Sequence, residues 1–262
     1  MAGCKDPSLT FLNSSGYNVI RLPRVGVEPL DILGKEQVVE RLGRIDQMWT
    51  SAQALPPVNG PSDASAVNGK KSSEMKISIG LKLLSTALGA MGAAVPEVSL
   101  AYSRARHVTF AFTDVKTVGV DPLAVGQYLS AGDLSSGNPF VRKFFEDEDC
   151  SAFIITEVLK SKSITVAATG DSGVEVAVDV PAIQQAVGVK VGVTAASSAN
   201  STLTYTGNEL LAFGFKCFGI AFVNGRWEVF SARPSAGLAF AAPTPGVPLT
   251  PMLLGEGRLV LR

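Results

Sequence analysis

Few side chains in this sequence could catalyse a reaction or bind a metal ion. The chain has one histidine, His107, and three cysteines, Cys4, Cys150 and Cys217. A structural zinc site takes about four Cys, His or acidic ligands at short spacings, and neither C-x-x-C nor H-x-x-x-H occurs here. We therefore expect no metal site and no catalytic cofactor.

Hydrolase and nucleotide-binding motifs are missing as well. A catalytic triad would need His107 as its base, yet His107 lies in a strand-like run, and no G-x-S-x-G precedes a helix pattern. No phosphate-binding loop of the G-x-x-x-x-G-K-[ST] or G-x-G-x-x-G type follows a buried strand. We expect a protein that is not an enzyme, with a hydrolase based on His107 as a minor alternative.

The composition indicates a chain that folds around a substantial core. Of the 262 residues, 46% are hydrophobic and 18% are charged, with 23 Lys and Arg against 23 Asp and Glu. A net charge of zero gives no overall positive field, so we expect no nucleic-acid partner. The odd number of cysteines and the lack of an apolar leader favour a reducing, cytoplasmic compartment.

Hydrophobic periodicity predicts the elements of the first half. An extended segment covers Tyr17 to Pro23, and apolar residues at helical spacing predict a helix over residues 38–52. The stretch from Ala54 to Ser73 is rich in Pro, Gly, Asn and Ser and predicts a mobile loop. The apolar stretch from Ile77 to Val95 is too short for a transmembrane helix of about 20 residues and favours a buried helix.

Strand patterns dominate the rest of the chain, apart from two short helices predicted after the capping residues Asp121 and Asn138. Apolar residues alternate after Pro96 and again from Phe153 to Thr206, and Asn224-Gly225 predicts a hairpin. The predicted fold class is α+β, with a twisted, largely antiparallel central sheet and surrounding helices. The same two-residue period is typical of a half-exposed soluble sheet and of a membrane barrel strand, so alternation leaves both open.

The chain end differs in composition from the body. A Pro-rich joint without charges follows Arg233, and apolar clusters close the sequence. We divide the chain into a body, residues 1–233, and a joint with a short tail, residues 234–262. Exposed apolar clusters are unfavourable at a chain end, so we expect the tail to pack on the body through Leu253, Leu254, Leu259 and Leu261.

Three features together resemble the bacterial gasdermins. They are the opening Gly16-Tyr17-Asn18-Val19-Ile20-Arg21-Leu22-Pro23-Arg24, the strand from Leu211 to Phe222 with its Ala-Phe-Gly-Phe-Lys-Cys-Phe core, and the short tail after a Pro-rich joint. The similarity covers nearly the whole chain, from about Leu9 to the end. It rests on diffuse hydrophobic strings and includes no catalytic signature.

The resemblance implies a latent pore-forming protein of anti-phage defence. Its tail would keep the body inactive in the cytoplasm until a protease, often caspase-like, cuts between Ser231 and Val247. The released body would then oligomerise with copies of itself among the lipids of the inner membrane as a large transmembrane β-barrel. Two regions would refold into membrane-inserting hairpins. The first covers residues 77–115, turns near Pro96 and includes Ile77, Leu83, Val95, Val108, Phe110 and Phe112. The second covers residues 153–206, turns near residues 180–186 and includes Ile164, Val166, Val176, Val178, Val189 and Val191.

Cys4 is the one modification site that the resemblance implies. Bacterial gasdermins carry a cysteine near the amino terminus that is acylated with palmitate, and Cys4 occupies that place. No apolar region precedes Cys4, which excludes a secreted lipoprotein site. The competing interpretation of the whole chain is a soluble β-rich binding or structural protein whose tail completes the core.

Overall fold

Two long antiparallel strands, β10 (Ser151–Thr169) and β12 (Thr202–Val223), form the centre of the fold. The computed structural model describes residues 6–93, 98–135, 143–145, 147, 149–231, 250–255 and 258–261. The helices are α1 (Pro7–Ser14), α2 (Ile77–Ala90), α3 (Pro122–Ser130) and α4 (Val180–Val187), with a 3₁₀ turn at Ile45–Gln47. The other strands are β1 (Asn18–Arg24), β2 (Asp31–Lys35), β3 (Val39–Arg44), β4 (Trp49–Ser51), β5 (Val58–Asp63), β6 (Met75–Lys76), β7 (His107–Thr113), β8 (Lys116–Val120), β9 (Gly132–Leu134), β11 (Gly192–Ala195) and β13 (Arg226–Phe230).

The central strands pair with each other from Ala152↔Ile220 to Ala167↔Thr202. The outer edge of β10 pairs in turn with β2, β8 and β7, and the outer edge of β12 pairs with β13, β1 and β11. Every one of these pairings is antiparallel. In the described part of the chain, one sheet contains 11 strands and β4 pairs with β9 in a second sheet, which confirms the predicted α+β class.

Several predicted elements are confirmed. The buried helix is α2, whose inward face includes Leu84, Ala87 and Leu88. Asp121 caps α3 by accepting a hydrogen bond from the Leu123 amide, as the Asp-Pro signal indicated. The Asn224-Gly225 turn joins β12 to β13, and both turn residues have positive φ. The helix start predicted at Asn138 lies outside the described residues.

The helix predicted over residues 38–52 is wrong. The segment forms β3, the 3₁₀ turn and β4. Gly43 has a φ of 135°, which a right-handed helix excludes. The predicted spacing rested on Val38, Leu42, Ile45, Trp49 and Ala52, of which only Ile45 and Trp49 are buried. A bulged strand and a turn bring these two inward instead of a helix.

Two other predictions need correction. Residues 54–73 are not a loop throughout, because β5 pairs with β8 along the sheet edge. All of β5 is exposed, which explains why its sequence is polar. The strand predicted over Val174–Val180 reduces to a single bridge between Thr169 and Glu175, since Asp179 caps α4 and turns the chain into a helix.

Helix α2 offers a matched pair of glycine substitutions. A Cβ at Gly80 would lie 2.1 Å from Cγ2 of Val108, whereas a Cβ at Gly89 would meet nothing within 4 Å. Gly80→Ala should therefore lower the free energy of unfolding by about 1–3 kcal/mol through overpacking. Gly89→Ala should raise it by up to about 1 kcal/mol through helix propensity. Urea denaturation measures both, and equal shifts would contradict the packing of α2 on β7.

Candidate functional site

The C-terminal segment lies along the body, and we call residues 250–255 and 258–261 the docked tail. Its main chain is held by hydrogen bonds to the body at four residues: Met252, Leu254, Leu259 and Leu261. Recognition of the main chain fixes the position of a segment whatever its side chains are. The docked tail is the arrangement in this structure that best matches a regulatory site.

Asn18 is the centre of this contact. Its side-chain Nδ2 donates to the Met252 carbonyl oxygen at 2.7 Å, and its Oδ1 accepts from the Leu254 amide at 2.7 Å. The Met252 amide donates to the Cys217 carbonyl oxygen at 2.8 Å. Asn18 is only 2% exposed while the tail is in place, so these hydrogen bonds are shielded from water.

The tail also covers two sheet edges. The Leu259 amide donates to the Val19 carbonyl oxygen at 2.7 Å and the Arg21 amide donates to the Leu259 carbonyl oxygen at 2.8 Å. Leu259 thus bridges Ile20 of β1 in parallel, and Leu261 bridges Val39 of β3 in the same sense. Strands β1 and β3 are the two ends of the order β1-β12-β10-β2-β3. One short segment therefore satisfies backbone groups at both ends of this row.

Charged side chains add contacts from the body to the tail. Lys35 Nζ donates to the Leu254 carbonyl oxygen at 2.8 Å, and Arg24 Nη1 donates to the Leu261 carbonyl oxygen at 3.0 Å. In the opposite direction, Arg258 of the tail forms an ion pair with Asp6 at 2.8 Å. Asp6 also caps α1, so the tail is tied to the start of the first helix.

Apolar side chains of the tail complete a core cluster with the sheet. Met252, Leu254 and Leu261 are buried in it and Leu259 packs against it, which confirms that the chain end packs on the body. Leu253 differs, since it is 44% exposed, and its predicted share in the contact is not supported. Burial of a side chain such as Leu254 contributes about 1.5–3 kcal/mol before the entropy of ordering is subtracted.

Cys217 lies beneath the tail. Its side chain is fully buried, with Sγ 3.6 Å from the Met252 carbonyl oxygen and 3.6 Å from Asn18 Nδ2. Burial raises the pKa of the Cys217 thiol, although the hydrogen bond from Asn18 opposes this effect. The thiol is neutral near pH 7, and its surroundings make it a sensitive reporter of whether the tail is in place.

The two regions predicted to insert into membranes pack against each other in the folded body. Strands β7 and β10, helices α2 and α4, and the start of β12 enclose one hydrophobic cluster. Among the predicted residues, the cluster buries Val108, Phe110, Ile164, Val166, Val178 and Val191, and Ile77, Leu83 and Phe112 pack against it. Val176 is half-buried and Val189 is exposed.

Some predicted sites lie outside the described residues. They are Cys4, Val95 and the joint from residue 232 to Val247. Other residues of the site were missed by the sequence analysis, above all Asn18, Lys35, Arg24 and Met252. Asn18 stood inside the opening segment that carries the resemblance, but no local pattern distinguishes an asparagine that binds a distant main chain from one in a strand.

Two searches of the described part of the chain gave negative results. None of its helices combines the length and the apolar character that a membrane crossing requires. No three His, Cys, Asp or Glu side chains there are grouped closely enough to hold a metal ion.

The curled antiparallel sheet, its helices and the docked tail define a protein of the gasdermin fold. The structure is similar to that of a bacterial gasdermin from Bradyrhizobium tropiciagri, with a TM-score of 0.67 at 14% identity, over 99% of this chain and 97% of that one.

Sequence comparison identifies the family. The model described as Bacterial Gasdermin Family matches residues 20–227. A gasdermin bGSDM from Vitiosangium sp. is 39% identical over 99% of this chain and 98% of its own, and one from a Desulfuromonadales bacterium is 32% identical over 91% and 90%. The chain belongs to the bacterial gasdermin family.

Neighbouring leucines of the tail give a matched test of docking. Leu254 is 6% exposed, whereas Leu253 is 44% exposed. Leu254→Ala should weaken tail docking by about 2–3 kcal/mol, which is roughly 30-fold or more in the opening equilibrium. Leu253→Ala should change it by less than about 0.5 kcal/mol.

The labelling rate of the Cys217 thiol by a maleimide measures this opening. A Cys4→Ser, Cys150→Ser background leaves Cys217 as the single thiol. Equal labelling rates in the two leucine variants would contradict the docked position of the tail.

Proposed function

We propose that this chain is a latent pore-forming protein of bacterial anti-phage defence. The docked tail keeps the body inactive until an activating protease, caspase-like or related, cuts the joint between Ser231 and Val247. The body then assembles with other copies of itself in the inner membrane as a large β-barrel pore and kills the cell. The antiviral setting and the type of protease are inferred from family resemblance.

The observation that carries this proposal is the main-chain contact between tail and body. The hydrogen bonds of Asn18, Lys35 and Arg24 hold the tail at a fixed position. A covalently tethered segment experiences an effective concentration of about millimolar order. After a cut, the same contact depends on the much lower concentration of free tail, so a weakly bound segment dissociates. A short tail can therefore inhibit strongly while it is attached and leave once it is cut.

The shared cluster of the two predicted inserting regions supports the second part of the proposal. A membrane-spanning strand needs about 9–11 residues of alternating character, and the two predicted regions, residues 77–115 and 153–206, supply at least that many on each side of a turn. Strands in lipid must satisfy every backbone group, which closure into a barrel achieves. The apolar side chains that fill the core of the body would then face lipid.

Acylation of Cys4 is a further part of the proposal. Cys4 lies three residues before Pro7, the first residue of α1, in the sequence, and its place near the amino terminus is what supports acylation through the family resemblance. A single acyl chain gives only marginal membrane binding, so it would assist the body after release and would not anchor the intact protein.

A cleavable joint tests the proposal directly. Residues 236–241 are replaced by the recognition sequence of a site-specific protease, so that one purified chain gives the intact and the cut protein. The cut protein should release dye from liposomes of bacterial lipids, and the intact protein should not. A chain with a scrambled recognition sequence, treated with the same protease, is the control.

Two results would overturn the proposal. One is release by the intact chain at the same rate as the cut chain. The other is no release by a cut protein that circular dichroism shows to be folded, in several lipid mixtures. If the cut protein unfolds in solution instead, the tail completes the core, and the chain is the β-rich binding or structural protein that the sequence left as the alternative.

The acyl group has its own test. Intact mass spectrometry of the protein purified from a bacterial host should show a palmitoyl increment that Cys4→Ser removes and Cys150→Ser keeps. Cys4→Ser should slow dye release by the cut protein several-fold, because one membrane-binding contribution is lost. An unmodified thiol at Cys4 in the native host would refute this part of the proposal.

A further inference from the structure

The pairing of the central sheet is broken in two places at one level, and we call this level the seam. On one side of β10, β7 ends at Thr113 and β8 begins at Lys116. On the other side, the register of β10 against β12 shifts, since Ser161 pairs with Leu211 while Ser163 pairs with Thr206. The register of this pair also shifts between Ile155 and Glu157 and between Leu159 and Lys160, but only the shift at the seam coincides with the break between β7 and β8.

These two breaks are aligned by the pairing itself. Ser163 of β10 pairs with Thr113 of β7 and with Thr206 of β12, and all three lie just beyond the seam. Lys160 pairs with Lys116 of β8 and with Ala212 of β12, and these lie just before it. We call the side with Thr113, Ser163 and Thr206 the distal side and the other the proximal side.

The two breaks at the seam are stabilised locally by polar groups. The buried Ser161 hydroxyl lies within hydrogen-bonding distance of the backbone carbonyl oxygens of Thr113 and Ser163, shares its single proton between them, and accepts from the Ser163 amide. Asp114 has a positive φ of 51°, a backbone conformation that ends a strand. Its carboxylate lies 3.1 Å from Lys116 Nζ and 3.9 Å from Lys162 Nζ. The seam is thus a defined feature with its own hydrogen bonds and charges.

The hydrophobic clusters follow the seam. The cluster that contains both predicted inserting regions draws its buried sheet residues from the distal side, with Leu211 at the boundary. The clusters beneath the docked tail and around Trp49 draw their β10 residues from Ala152 to Val158, on the proximal side. One aromatic pair crosses the seam, because Phe112 stacks on Phe213 with ring centroids 3.9 Å apart.

We infer that the seam is the boundary between the part of the body that refolds and the part that stays folded, and that its charged residues meet lipid headgroups in the assembled pore. This inference rests on the proposed function. Because the pairing on both sides of β10 is already broken at one level, the distal side is able to change partners while the proximal pairing stays intact. Residues 153–160 therefore remain in the body, although the alternating pattern from Phe153 onwards placed them in the second hairpin.

The charges of the seam fit the level of the bilayer surface. Lys116 and Lys162 share the carboxylate of Asp114, and Lys116 also contacts Asp63 at 2.6 Å. All four side chains are at least 30% exposed. A membrane-spanning segment excludes such charges from the bilayer centre, whereas lysines at its ends contact the interface. On the distal side of the seam, no residue of β10 from Ser163 to Thr169 is charged.

Two engineered disulfide bonds, one on each side of the seam, test which side refolds, and we call them the distal and the proximal staple. Lys76→Cys with His107→Cys joins β6 to β7 on the distal side, where these residues are direct partners. A hairpin that turns near Pro96 places His107 opposite residues close to Ser85, so this staple forbids it. Gly119→Cys with Glu157→Cys joins β8 to β10 on the proximal side, where a Cβ on Gly119 would lie 3.9 Å from that of Glu157, within the range of a disulfide.

Both pairs are introduced into the full chain with the cleavable joint, and dye release is measured after cutting, with and without reductant. The distal staple should reduce release to the level of the intact protein, with recovery on reduction. The proximal staple should leave release within about two-fold of the unstapled cut protein. Circular dichroism of each oxidised chain before cutting controls for folding.

Each other result overturns the inference. If both staples block release, refolding extends past the seam, and if neither blocks it, the distal side does not change its register. If only the proximal staple blocks dye release, the proximal side is the one that refolds, and the assignment of the two sides is wrong. If even the unstapled cut protein releases no dye, the proposed function fails and the seam proposal fails with it. The unstapled protein therefore separates failure of the proposed function from failure of the seam proposal alone.

Discussion

The pairing of β10 with β12 is the interaction on which the rest of the structure depends. These strands run side by side from Ala152↔Ile220 to Ala167↔Thr202, and their outer edges provide places for β1, β2, β7, β8, β11 and β13. Each hydrophobic cluster contains side chains from at least one of the two. Strands β1 and β3 lie at the two ends of the row β1-β12-β10-β2-β3, and a single tail segment bridges both.

Much of this arrangement was accessible from the sequence, and the reasons for the failures are physical. The Asn-Gly turn, the Asp121 cap and helix α2 are local features, so local patterns predicted them. Residues 38–52 were assigned to a helix because Val38, Leu42, Ile45, Trp49 and Ala52 recur at helical spacing. Only Ile45 and Trp49 of these are buried, since a bulged strand followed by a 3₁₀ turn can carry apolar residues at the same intervals without being a helix.

The contacts of the tail could be predicted only in part. Apolar residues at the chain end indicated that it packs on the body, and Leu254 and Leu261 do so. The polar half of the contact was not predictable, because Asn18 and Lys35 bind main-chain atoms more than 200 residues away. Main-chain recognition leaves no complementary pattern in the sequence of the segment that is recognised. The exposed Leu253 alternates with its buried neighbours in the extended tail, which a count of leucines does not show.

The bridge that the tail makes between β1 and β3 has a consequence for the lifetime of the body. Without the tail, both edges present unpaired amide and carbonyl groups, and open strand edges pair with any available strand. Under the proposed function, cleavage therefore yields a body with two open strand edges, whose lifetime in water is limited by aggregation. The distance between the place of cleavage and the membrane then limits how much of the cut protein reaches the bilayer.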